Sequence, residues 1–187
     1  MSKITDSISD ELKEFIQAQH IFFVGTAMGD GHVNISPKGM DSFRVLGPQR
    51  VAWLNLTGSG NETATHIAAN PRMTLMFCAF EGKPKILRLY GQAEVHHAGT
   101  EGFNKLIGHF QEIAGQRQLF DVRIELIQTS CGFAVPLMDF KKDRTMLKDW
   151  AEKKGEKGIQ EYWKEKNGTS LDGHTTVLSE TRAEDHT

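Results

Sequence analysis

The stretch "RVAWLNLTGSGNETATHIAANPRMTLMFCAF" (50–80) sets two apolar runs on either side of a glycine loop and a short helical segment. The flanking runs, 50–56 and 72–80, are rich in Val, Leu, Met and Phe and read as strands. Between them Gly58-Ser59-Gly60 leads into a helix with Asn61 or Thr63 as its cap, and Pro71 ends it. Strand, glycine loop, short helix and strand is therefore the central unit of the chain.

The neighbouring segments keep the two-residue period. "HIFFVGTAM" and "HVNISPK" flank Gly29-Asp30-Gly31, a strong hairpin signal. "KILRLYGQAEV" (85–95) alternates Leu87, Leu89, Ala93 and Val95 with Arg88, Tyr90, Gln92 and Glu94, and "DVRIELIQT" (121–129) does the same. Half-buried strands joined by short turns predict a mainly β fold with flanking helices, its antiparallel sheet closed as a barrel. One helix is expected after Ser9-Asp10. A second should follow Thr100, with Phe103, Leu106, Ile107 and Phe110 on one face, and stop near Gly115. Past Pro136 the composition turns to Lys, Glu and Trp, with helices expected at about 143–154 and 156–166. The predicted organisation is a domain over 1–140, a helical extension over 141–175 packed on it, and a disordered tail over 176–187.

The chain has 187 residues, 22 basic against 24 acidic, for a net charge of −2. That balance predicts no general attraction to nucleic acid or to an anionic membrane. The opening "MSKITDSISDELKEF" is acidic and polar and reads as no secretory leader, and no apolar run approaches a membrane span. A cytoplasmic protein is expected. Cys78 and Cys131, each within an apolar stretch, are expected to be buried free thiols in a reducing compartment. His96 and His97, adjacent on a strand, point to opposite faces and cannot grip one ion, so surface histidines and no metal are expected.

The loop Gly58–Thr63 lacks the Gly-Lys-Ser/Thr ending of a Walker loop, and Thr63 stands where a dinucleotide fingerprint needs its third glycine. What remains is a flexible turn feeding a helix N-terminus, whose free N–H groups favour an anion, or an ordinary strand-to-helix connection. In "VNISPKG" (33–39), Asn34, Ser36 and Lys38 share one face of a strand, opposite Val33 and Ile35. A polar strand face ending in lysine meets either water or a ligand. With the loop, it points to a phosphorylated ligand.

The order of Lys38-Gly39, the strand "VAWLNL", the glycine loop, the short helix and "NPRMTLMF" resembles the FMN-binding split barrel of the pyridoxamine 5'-phosphate oxidase-like family, most clearly over about 15–96. The segment running from "CGFAVPLMDF" to "NGTSLDG" is similar to the C-terminal extension of bacterial members described as FMN-binding. The resemblance implies an antiparallel split β-barrel, an FMN-dependent oxidoreductase acting on a small molecule, and a homodimer with FMN at the subunit interface. It implies FMN contacts from Asn34, Ile35, Ser36 and Lys38, with Lys38 meeting the phosphate. Trp53, Leu54 and Asn55 would lie beside the flavin, and Gly60, Asn61, Glu62 and Thr63 would hold the phosphate. Where the oxidase has Ser-Arg-Lys this chain has Asn61-Glu62-Thr63, and Val33 stands where the oxidase has an arginine. Arg88 and Arg72 are candidate replacements for the missing charge. The oxidase's arginine-rich C-terminal segment is absent, so pyridoxamine phosphate oxidation is not expected. A non-catalytic FMN carrier or sensor, or a haem- or deazaflavin-binding relative, are the alternatives.

Overall fold

In the computed structural model, which describes residues 2–176 and 178, the period-two segments pair into one antiparallel sheet. Its strands are β1 (Lys3–Thr5), β2 (Phe22–Thr26), β3 (Asn34–Lys38), β4 (Phe43–Gly47), β5 (Arg50–Leu56), β6 (Arg72–Cys78), β7 (Ile86–His97) and β8 (Gln116–Ser130). The hydrogen-bonded order is β3-β2-β6-β7-β8-β5-β4, and β1 adds to β8. The hairpin at Gly29–Gly31 pairs Phe22 with Lys38 and Thr26 with Asn34. The short strands β1 and β4 are not anticipated by the sequence reading. β1 has three residues and β4 five, too short for the alternation of Phe43 and Val45 about Arg44 to stand out.

The sheet is curled but not closed, which corrects the expected closed barrel. Phe22 of β2 meets Phe43 of β4 at 4.9 Å between ring centroids, so the two ends of the sheet face each other across the core. Yet β3 and β4, consecutive in the chain, lie at opposite edges. Their connection takes Met40 and Asp41 through positive φ (62° and 52°), and this turns the chain away from a hairpin. The long strands bend at a register shift between Tyr90 and Gly91. A Cβ on Gly91 would fall 2.1 Å from the Arg123 carbonyl oxygen, so this bend requires glycine.

Phe22, Trp53, Phe77 and Phe120 fill the interior, with Trp53 and Phe120 stacked at 4.4 Å. Helix α1 (Asp10–Gln17), capped by Ser9, presses Leu12 and Ile16 onto this core. Helix α2 (Glu62–Ala69) follows the glycine loop and buries Ala64, His66 and Ile67. Helix α3 (Glu101–Ile107) packs Phe103 and Leu106 on Leu54 and Leu119, on the other side of β5 and β8. It ends earlier than the expected Gly115, with Gly108 as its C-cap; beyond it Arg44 donates to the His109 carbonyl at 2.9 Å and lies 5.1 Å from the Phe110 ring.

Beyond β8 the chain runs irregularly to α4 (Met146–Lys166), a helix broken at Gly155 (φ 65°), close to the two expected helices. α4 buries Ala151 and Ile159, and its Trp163 indole donates to Thr57 Oγ1 at 2.8 Å. Apart from Thr176 and residue 178, the expected disordered tail lies outside the described residues. Cys78 is buried, but Cys131 is exposed in the irregular segment, which corrects the expectation of two buried thiols.

Candidate functional site

The alternation of β3 sends Asn34, Ser36 and Lys38 to the inner face, while Val33 and Ile35 stand 68% exposed outside. This inverts the usual arrangement of a half-buried strand. The inner polar face, the end of β5 and the glycine loop enclose a cavity of about 220 Å³, lined also by Asn55, Gly60, Asn61, Glu62, Thr63 and Arg117.

Arg117 is the residue that the period-two reading missed. β5 and β8 pair Asn55 with Gln118 and then Leu56 with Gln116, so Arg117 is an extra residue opposite nothing, a β-bulge. A bulge re-aims a side chain, here into the cavity. The guanidinium is buried, and its Nη1 donates to the Gly60 carbonyl at 3.1 Å and to Asn167 Oδ1 at 2.7 Å. A faint signal existed: "GQRQLF" sets three polar residues at the head of a strand that is otherwise apolar on its inner side.

Two cations thus face one small space. Burial, and then the charge of Arg117, push the Lys38 ammonium down to about 8. Burial pushes the Arg117 guanidinium down to about 10, with Tyr162 partly opposing. The Lys38 Nζ sits 5.3 Å from the centre of the Trp53 ring. Among the described residues, no carboxylate lies within ion-pair distance of either cation.

Several donors around the cavity are left without partners. Ser36 Oγ, Asn61 Nδ2 and Arg117 Nε are buried without a hydrogen-bond partner. Asn61 occupies the N-cap position of α2, yet its side chain makes no cap bond. Instead Asn55 Nδ2 donates to Gln118 Oε1 at 3.0 Å and Gln118 Nε2 donates to Asn61 Oδ1 at 3.1 Å. That relay spends the Asn61 oxygen and leaves its NH₂ unpaired. Asn34 ties β3 to α2 by donating to Thr63 Oγ1 at 3.1 Å. Each buried polar group without a partner costs about 1–3 kcal/mol. Unpaired donors and two unpaired cations around one cavity fit an anion with several acceptor oxygens.

The Glu62 carboxylate lines the same cavity, with its Oε1 held by the Leu171 amide at 2.9 Å. Of the residues expected at the site, Asn34, Ser36, Lys38, Asn55, Gly60, Asn61, Glu62 and Thr63 are brought together on this wall. Ile35 faces outward. Trp53 is fully buried beneath Lys38, and Leu54 packs against α3. Arg88 lies off this wall on β7, donating to Ser130 Oγ at 3.2 Å, and Arg72 bonds Asn70. The expectation of surface histidines is corrected at His97, both of whose ring nitrogens are buried. Burial, with Arg117 and His96 nearby, holds its pKa below the ordinary histidine value.

The sheet order and its two unpaired edges define a split-barrel fold, with Lys38 and Arg117 facing the cavity beneath the glycine loop. A profile of the pyridoxamine 5'-phosphate oxidase family matches residues 8–131, and the chain belongs to that family. It is 37% identical to the pyridoxamine 5'-phosphate oxidase family protein ustO of Aspergillus flavus, over 90% of this chain and 75% of that one. Among solved structures, a putative pyridoxamine 5'-phosphate oxidase from Lactobacillus delbrueckii matches with a TM-score of 0.53 at 20% identity, over 66% of this chain and 94% of that one. HutZ, the heme storage protein from Vibrio cholerae, matches with a TM-score of 0.50 at 19% identity, over 67% and 97%. At such identities these structures support the shared fold alone.

Proposed function

We propose that this protein is an FMN-dependent oxidoreductase with a small-molecule substrate, and that the cavity beneath the glycine loop receives the FMN phosphate. The observation that carries the reading is the half-buried Lys38 and the buried Arg117, neither with a counter-ion among the described residues, together with unpaired donors of Ser36, Asn61 and Arg117 around one cavity of about 220 Å³. Bound flavin would supply the redox chemistry. The chain's own part is to neutralise the phosphate with Lys38 and Arg117 and to donate to its oxygens from Ser36 and Asn61. Arg117 replaces the charge missing from the loop, so the Asn61-Glu62-Thr63 sequence does not speak against a phosphate. One phosphate-sized cradle favours FMN over FAD. Acid extraction of the purified protein is expected to release FMN. Recovery of FAD, a haem absorption band, or no flavin after incubation with FMN would overturn the reading.

The same reading includes a homodimer. Val33 and Ile35, with Phe23, Met76 and Tyr90, line an apolar cavity of about 540 Å³ on the outer side of the sheet. Phe133 and Leu137 of the irregular segment are 82% and 79% exposed. A second copy that covers such surface would also shield a flat cofactor bound between the chains. Light scattering of the FMN-loaded protein should report twice the 21.0 kDa chain mass, and a loaded monomer would contradict it.

A further inference from the structure

We infer that Asn167 is a positioning residue for the phosphate cradle, aiming Arg117 from the C-terminal extension. This rests on the FMN-phosphate reading of the cavity. Asn167 is the C-cap of α4, fully buried, and 50 residues from Arg117 in sequence. Its Oδ1 accepts from Arg117 Nη1 at 2.7 Å, and its Nδ2 donates to the Gly58 carbonyl at 3.2 Å. Its backbone carbonyl accepts from Thr176 Oγ1, and its amide closes on Trp163. Every polar group of this residue is engaged.

The effect on Arg117 is directional. Nη1 is committed to Gly60 and Asn167, which leaves the buried Nε unpaired. The guanidinium edge that includes Nε is one that binds an oxyanion side-on. Asn167 also grips the glycine loop at Gly58, so one side chain couples the loop to the cation. The flanking extension holds it there. Trp163 bonds Thr57 before the loop, Leu171 bonds Glu62 after it, and Asp172 accepts from the His32 amide at 2.9 Å. The extension is therefore the outer half of the cradle and not a separate appendage.

Riboflavin, which lacks the phosphate, separates this role from a general structural one. FMN and riboflavin titrations of the wild-type full chain, Asn167→Ala and Asn167→Asp provide the test, with apo-protein melting alongside. Asn167→Asp keeps the shape, but its carboxylate would pair with Arg117, compete with phosphate, and be unable to donate to Gly58. Asn167→Ala should weaken FMN binding by about tenfold and Asn167→Asp by more, up to about a hundredfold. Riboflavin binding should stay within about twofold in both. Equal losses for the two flavins would make Asn167 merely structural and overturn the inference. Unchanged FMN affinity in both variants would overturn it alone. A wild-type protein that binds neither flavin would instead remove the FMN reading and the inference together.

Discussion

Arg117→Met is expected to cut FMN affinity about ten- to a hundred-and-fifty-fold and to destabilise the apo-protein. On the proposed phosphate site the affinity loss follows from removing one of its two cations, since hydrogen bonds to a charged group are worth roughly 1.5–3 kcal/mol. The stability loss has a separate cause. The guanidinium satisfies the Gly60 carbonyl and Asn167 Oδ1, and the latter is fully buried. Methionine fills much of the volume but leaves those acceptors without their donor, at about 1–3 kcal/mol. Relief of desolvation and of repulsion from Lys38 offsets part of this. Calorimetric titration with FMN and urea unfolding of apo-protein would measure both. Wild-type FMN affinity in Arg117→Met would exclude Arg117 from the phosphate site.

Lys38→Met should lose FMN affinity by a similar factor while the apo-protein melts at the same or a higher temperature. Among the described residues Lys38 makes no ion pair, and its charge is opposed by burial and by Arg117. Removing it therefore orphans no partner. The two substitutions take away the same charge, yet only Arg117→Met should lower apo stability.

The Lys38 variant carries a pH signature as well. The folded-state pKa of about 8 lies below the 10.5 expected when the chain is unfolded. Between those values the unfolded chain holds a proton that the native protein lacks, so this group's contribution to stability rises with pH across that window. Below about pH 8 the half-buried charge is present and its cost is felt in full. FMN binding, which favours the charged ammonium, should weaken as pH climbs past about 8 in the wild type. Lys38→Met should show neither dependence beyond that of the other groups. A wild-type affinity that stays flat from pH 7 to about 9.5 would remove Lys38 from the phosphate.

What the sequence determined by itself is what depends on residues close together in the chain. The β2–β3 hairpin follows from Gly29-Asp30-Gly31, and the polar face of β3 follows from the spacing of Asn34, Ser36 and Lys38. The loop-to-helix unit follows from Gly58–Thr63 and Pro71, and the break in α4 coincides with Gly155. Periodicity and turn chemistry act over a few residues and need no knowledge of the fold.

The tertiary structure alone decided that the polar face of β3 looks inward, that the sheet stays open between β3 and β4, and that Arg117 turns into the cavity beneath the glycine loop. Arg117 enters through a bulge, which exists only in the register between β5 and β8. Asn167 and Leu171 meet Gly58 and Glu62 across 109 residues. Such contacts depend on where the whole sheet places two distant segments. No local pattern encodes that, because many partners satisfy the same polar side chain until the register is chosen.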